Sequence, residues 1–158
     1  MKVISLLLIL SVVTAKAQEA VVDVSLRPAG SFKGKTTEVK GTAVQKGDRV
    51  EASNISVNLA SLKTGISLRD EHTKKHLETE KYPEALLVSA TGQGGKGEGL
   101  IRIRGIEKKV SGTYKIEGSN LVAEFPIKFS DFNIKGIKYM GVGVDDNGVI
   151  HINVPVRK

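Results

Sequence analysis

The chain of 158 residues has no cysteine and no tryptophan, and only three tyrosines, four phenylalanines and four prolines. Without cysteine there can be no disulfide, no thiolate nucleophile and no cysteine-ligated metal, so packing and backbone hydrogen bonds must hold the fold. The few aromatics leave little surface for base stacking. The formal charge of +7 is scattered along the chain, so no nucleic-acid partner is expected. Such an excess favours anionic partners only weakly. Long apolar runs are absent except for Val3 to Val13. That run follows Met1-Lys2, precedes Ala15-Lys16-Ala17, and is too short to span a bilayer. The pattern predicts a secretory signal peptide over 1–17, cleaved after Ala17, and hence a periplasmic or secreted protein. The remaining residues, 18–158, suffice for one domain with its own core.

What is present is mostly short alternating runs between glycine-rich turns. Ala20 to Leu26, Thr36 to Val44 and Arg49 to Leu59 read as strands, with a hairpin at Lys46-Gly47-Asp48. Ala85 to Thr91, Glu98 to Arg104 and Lys108 to Ile116 follow, with Gly92 to Gly97 read as a flexible turn. Leu121, Ala123, Phe125, Ile127 and Phe129 share one face of the most regular strand, in which Pro126 suggests an edge or a bulge. Ser130 to Val144 reads as irregular, and a last strand starts at Gly148 with Ile150, Ile152, Val154 and Val156 on one face. About eight strands joined by short turns imply largely antiparallel pairing, in a barrel or a sandwich.

One stretch breaks this pattern. Ser61 to Pro83, SLKTGISLRDEHTKKHLETEKYP, is charged and helical in character. Ser67 and Asp70 have the spacing of a capping box, predicting a helix from about Leu68 to Leu77. His72 and His76 stand four apart, as two metal ligands would. A zinc-protease helix needs Glu after its first His, though, and Thr73 is there instead. The remaining histidine, His151, lies on a distant strand, so no metal site is expected. Arg69, Asp70 and His72 lack an activated nucleophile beside them, so catalysis is not expected either.

The order SLKTG, LRDEH, LETEKYP, then GLIRIRGIEKKV, FSDFNI and YMGVGVDDNGVIHINV resembles the YceI-like family of exported, lipocalin-like, polyisoprenoid-binding proteins. The resemblance runs from about Asp23 to the end. It implies an all-β fold: an eight-stranded antiparallel lipocalin-like barrel, with the short helical insert capping one end. It further implies an apolar cavity holding an isoprenoid or other amphiphilic lipid, whose head lies near the cap. Arg69, Asp70 and His72 match the polar part of the motif, and Lys81-Tyr82-Pro83 match its exit into the next strand, which makes Arg69, Asp70, His72, Lys81 and Tyr82 the expected head-group residues. The chain departs from longer members at Thr73 to Leu77, where an aromatic-rich stretch is lacking.

Period-2 faces suggest Leu121, Phe125, Ile127, Ile152 and Val154 as cavity lining, against the plainer reading of filled core. The expected function is binding, transport or sequestration of such a lipid, with transient membrane contact and no cofactor. The alternative is a structural or interaction barrel with a packed interior and a partner-binding surface at 61–83.

Overall fold

The computed structural model describes residues 18–158; the expected signal peptide lies outside them. Eleven strands and one α-helix are ordered β1 (Glu19–Arg27), β2 (Ser31–Thr36), β3 (Val39–Lys40), β4 (Ala43–Lys46), β5 (Arg49–Asn58), α1 (Ser67–Leu77), β6 (Glu84–Gln93), β7 (Lys96–Ile103), β8 (Ile106–Glu117), β9 (Asn120–Lys128), β10 (Lys138–Tyr139) and β11 (Val142–Arg157). Single turns of 3₁₀-helix lie at Leu59–Ser61 and Phe129–Phe132.

Antiparallel neighbours run β4-β5-β6-β7-β8-β9-β11, and β11 returns to β4, so seven strands close a ring. β1 lies along β11, and β2 along β1. The second strand expected at Thr36 to Val44 is a longer run broken into β2, β3 and β4. Its first part pairs with β1 and its later parts with β5. One break is at Gly41, with φ of +129°, where a Cβ would lie 2.8 Å from Ile55 Cγ1. The expected purely antiparallel barrel has one exception: β4 meets β11 in parallel at Val156 and Arg157. The cause is geometric. β1 is antiparallel to β11 and β2–β4 run back along β1, so where β4 passes the start of β1 it must lie parallel to β11.

Two expectations about strand limits change. Gly92 and Gly97 are paired strand residues rather than part of a flexible turn, which is confined to Gly94-Gly95. The last strand begins at Val142, because β10 and β1 supply partners before Gly148. Pro126 pairs with Val149 but lies beyond Glu124, the last β9 residue with a β8 partner. Its missing N–H therefore disturbs no second ladder.

The barrel has two differently filled ends. At one, the hairpins β4–β5, β6–β7 and β8–β9 turn. At the other, α1 and the Phe129–Phe132 turn cover the opening. The core divides accordingly. Val24, Ile101, Ile103, Ile127, Phe129, Phe132 and Ile134 cluster at the capped end. Ala20, Val39, Ala43, Val50, Ile55, Leu121, Ile152 and Val154 cluster toward the hairpin end.

Candidate functional site

The hairpin end contains a partly open cavity of about 80 Å³, lined by β5, β6, β7, β8, β9 and β11. Pairing register explains it. Ala52, Ala90, Gly99 and Val110 sit opposite one another on four adjacent strands, and Val50, Gly92, Gly97 and Gly112 form the next row. Residues two apart along a strand face the same side, so both rows look inward. Next along the barrel the register partners Ile55, Leu87 and Ile101 are bulky and fill the cross-section where the two clusters meet. Small side chains on neighbouring strands thus leave a volume bordered by Tyr114 and Phe125 among the larger side chains.

Two of the glycines are required by these rings and by the strand approach. A Cβ at Gly92 would collide with Tyr114 Cε1 and lie 3.1 Å from Val50 Cγ2. At Gly112 it would lie 2.7 Å from Phe125 Cβ and run into the Glu124 carbonyl oxygen.

Leu121, Phe125, Ile152 and Val154 line this cavity. Ile127, expected with them, does not. Two residues beyond Phe125 carry it roughly 7 Å further along β9, into the capped-end cluster. Sequence reasoning missed Tyr114 and the small residues opposite it. The available signal was glycine inside strand runs, which marks close approach of another group.

The cap is held by polar contacts rather than apolar burial: no residue of α1 is buried, and Leu77 alone packs on the core cluster. Its start differs from the capping box. Ile66 is the N-cap and supplies no side-chain bond. The Asp70 carboxylate instead accepts from the Thr64 N–H at 2.7 Å and the Thr64 hydroxyl at 2.6 Å. The hydroxyl, then the amide, hold the Asp70 pKa below its ordinary value. Asp70 is drawn back to the preceding loop because the N-terminal amides of a helix and of its lead-in seek anionic acceptors. Arg69 donates to the Thr64 carbonyl at 2.6 Å and stacks 4.2 Å over the Phe32 ring.

At the other end of α1, Glu78 in a left-handed conformation stops the helix, and its carboxylate pairs with Arg104. Arg104 occupies the two-residue β7–β8 turn with Gly105, both at positive φ. Its guanidinium also donates to the carbonyls of Phe132 and Asn133, at 3.2 and 2.6 Å. One side chain therefore ties together the helix end, a barrel turn and the 3₁₀ turn.

The remaining cap residues point elsewhere. His72 meets the Tyr139 ring edge-on at 5.2 Å. Lys81 lies 5.2 Å from the Tyr82 ring centre, and Tyr82 packs beside Gly105. All five expected head-group residues are at the capped end, and none lines the cavity. Arg69 and Asp70 converge on Thr64, while His72 and the Lys81–Tyr82 pair lie apart from them. His151 is on the barrel wall, with Nε2 2.7 Å from Asp23 and Nδ1 3.4 Å from Glu124. The two carboxylates contact opposite nitrogens of that ring, and among the described residues no group of three His, Asp or Glu side chains is arranged to hold a metal ion.

The sequence matches the profile of the YceI-like domain across residues 12–156. The chain belongs to the YceI-like family. Among solved structures, this YceI-like barrel is similar to the crystal structure of Burkholderia cenocepacia BcnA. The TM-score is 0.63 at 17% identity, covering 85% of this chain and 94% of that one. It is also similar to a polyisoprenoid binding domain from Saccharophagus degradans implicated in plant cell wall breakdown. There the TM-score is 0.53 at 14% identity, covering 90% of this chain and 97% of that one. At such identities the likeness is one of fold. No curated protein matches the chain.

Proposed function

We propose that this YceI-like protein binds an isoprenoid or other amphiphilic lipid, and that the apolar chain of the ligand occupies the hairpin end of the barrel. The observation that carries the reading is the apolar cavity beneath Tyr114, walled by two rows of Ala, Gly and Val. Family membership and the polyisoprenoid-binding relative support it. Size limits what the cavity takes as it stands. A cavity of roughly 150 Å³ holds a benzene-sized guest, and this one is about half as large. A longer chain must displace Tyr114 or Phe125, the two large side chains that face glycine. Leaving a membrane for a protein gains little from desolvation, so affinity rests on fit of the chain to this wall and on contacts of the head. The protein is read as a binder, not an enzyme, acting outside the cytoplasm after removal of residues 1–17.

The rival reading is a packed interaction barrel with its partner surface at 61–83, and the dense capped-end cluster favours it. Native mass spectrometry of the protein purified with its lipids separates the two. The lipid reading expects a mass adduct that organic extraction removes. Ala52→Leu, which adds three carbons into the cavity, abolishes the adduct while the barrel still folds; Ala123→Val serves if leucine is not tolerated. Protein that carries no lipid and takes up none from micelles sinks the lipid reading. An unprocessed N-terminus on the exported protein would refute cleavage after Ala17.

A further inference from the structure

Of the six large apolar side chains exposed among the described residues, all but Ile116 lie at the capped end. Met140 is 86% exposed, Ile66 54%, Tyr139 53% and Leu68 50%, with Val142 at 38%. They come from two elements that touch. His72 of α1 packs against Tyr139 of β10, and Leu68 lies one helical turn before His72 on the same side of α1. Met140 and Gly141 form the tip of the β10–β11 hairpin, both at positive φ, so Met140 is raised from the surface. Leu68, Tyr139, Met140 and Val142 therefore surround one contact, and Ile66 adjoins it at the start of the helix.

Exposed lysines flank this group. Lys75 is on α1 three residues after His72, and Lys135 and Lys138 lead into the hairpin. None of the three makes an ion pair among the described residues. Nearby acids are partly engaged. Asp70 is bonded to Thr64 and Glu78 to Arg104, which leaves Glu71 as the exposed carboxylate on the helix.

From this arrangement we infer that the α1–β10 face docks on the surface of an anionic phospholipid bilayer, with Met140, Leu68 and Ile66 in the interface and the lysines among the head groups. A single methionine raised on a hairpin tip suits a soft interface that closes around it, and unpaired lysines beside apolar side chains suit anionic lipid. A rigid protein partner would need a socket for Met140 and counter-charges for three lysines. The inference concerns docking alone and stands on the exposed side chains, whatever the barrel holds.

Flotation with phosphatidylcholine vesicles, with and without phosphatidylglycerol, tests it. Binding is expected on the anionic vesicles, falling as salt is raised. The double variant L68S/M140S lowers vesicle affinity at least about tenfold, since each change removes a side chain's worth of apolar burial. Lys138→Gln lowers it about fivefold. All three changes are at exposed positions, and an unchanged circular dichroism spectrum certifies the fold. The cavity-blocked Ala52→Leu protein still floats, so loss of lipid loading and loss of docking are read separately. Wild-type protein that floats with neither vesicle overturns the inference, as does a double variant that floats like wild type. A concentration-dependent dimer that the double variant dissolves, with no vesicle binding, assigns the face to a second copy of the chain and overturns it equally.

Discussion

At the capped end of the barrel, inward positions hold Ile101, Ile103, Ile127, Phe129 and Phe132 and the interior is closed. At the hairpin end the corresponding positions on β5, β6, β7 and β8 hold Ala52, Ala90, Gly99 and Val110, then Val50, Gly92, Gly97 and Gly112, and a cavity remains. Both ends share one hydrogen-bonded ladder, so the difference is one of side-chain volume. Protein interiors pack to nearly constant density. A row of small residues across four strands is therefore room left for a ring of the chain itself or for a guest. The capped end is also where polar contacts concentrate, through Arg69, Asp70, Glu78 and Arg104. This barrel separates the apolar space from the charged lid that its sequence draws attention to.

If the capped end is the rigid half, its largest fully buried side chain should dominate stability. Phe132→Ala is expected to cost about 4 kcal/mol in urea or thermal denaturation; a loss below about 1 kcal/mol would mean that this end is as loosely filled as the other. Gly112→Ala probes the hairpin end, where the added methyl meets the Glu124 carbonyl and Phe125. It is expected to cost about 3 kcal/mol. A neutral result would show that β9 can move off β8 there, and that the cavity can widen without strain.

Arg104→Ala tests whether the lid is held by the triple contact of that guanidinium. Losing two charged hydrogen bonds to backbone should cost about 2 kcal/mol, with increased amide exchange in α1 and the Phe129–Phe132 turn but not in β6–β7. The smallest effect is one of pH. The folded-state pKa of Asp70 is depressed, so its bonds to Thr64 contribute fully above the ordinary value of 3.8 and are lost as pH falls below it through the folded value. Slow exchange of the Thr64 amide at pH 6, giving way to fast exchange in acid, is the expected signature. Protection that persists unchanged after Asp70→Asn would contradict it.

Part of the wall follows from alternation. Period 2 along β9 and β11 puts Leu121, Phe125, Ile152 and Val154 on the inner face, beside the cavity, but cannot by itself separate cavity lining from filled core. Ile127 has the same parity and belongs to the other cluster, because alternation tells which side a residue faces but not how far along the barrel it sits. The helix was foreseen to within a residue of its ends. Its start was not: Ser67 and Asp70 had the right spacing for a box, and Thr64, three residues upstream, competes for the same carboxylate. The cavity's own residues were the least visible. Gly92 and Gly97 looked like turn glycines, and only pairing across β5, β6, β7 and β8 sets them in rows.

By itself the sequence determined an all-β domain with one charged helical insert, because alternation, turn glycines and helix periodicity are local properties read within a dozen residues. It also carried the family, through motifs spaced along most of the chain. Where the space lies, and that it lies away from the lid, was decided by the tertiary structure. Strand register and the bulges between Val24 and Leu26 and between Leu87 and Ser89 set which small residues meet across strands, and the volume left between them belongs to no single segment.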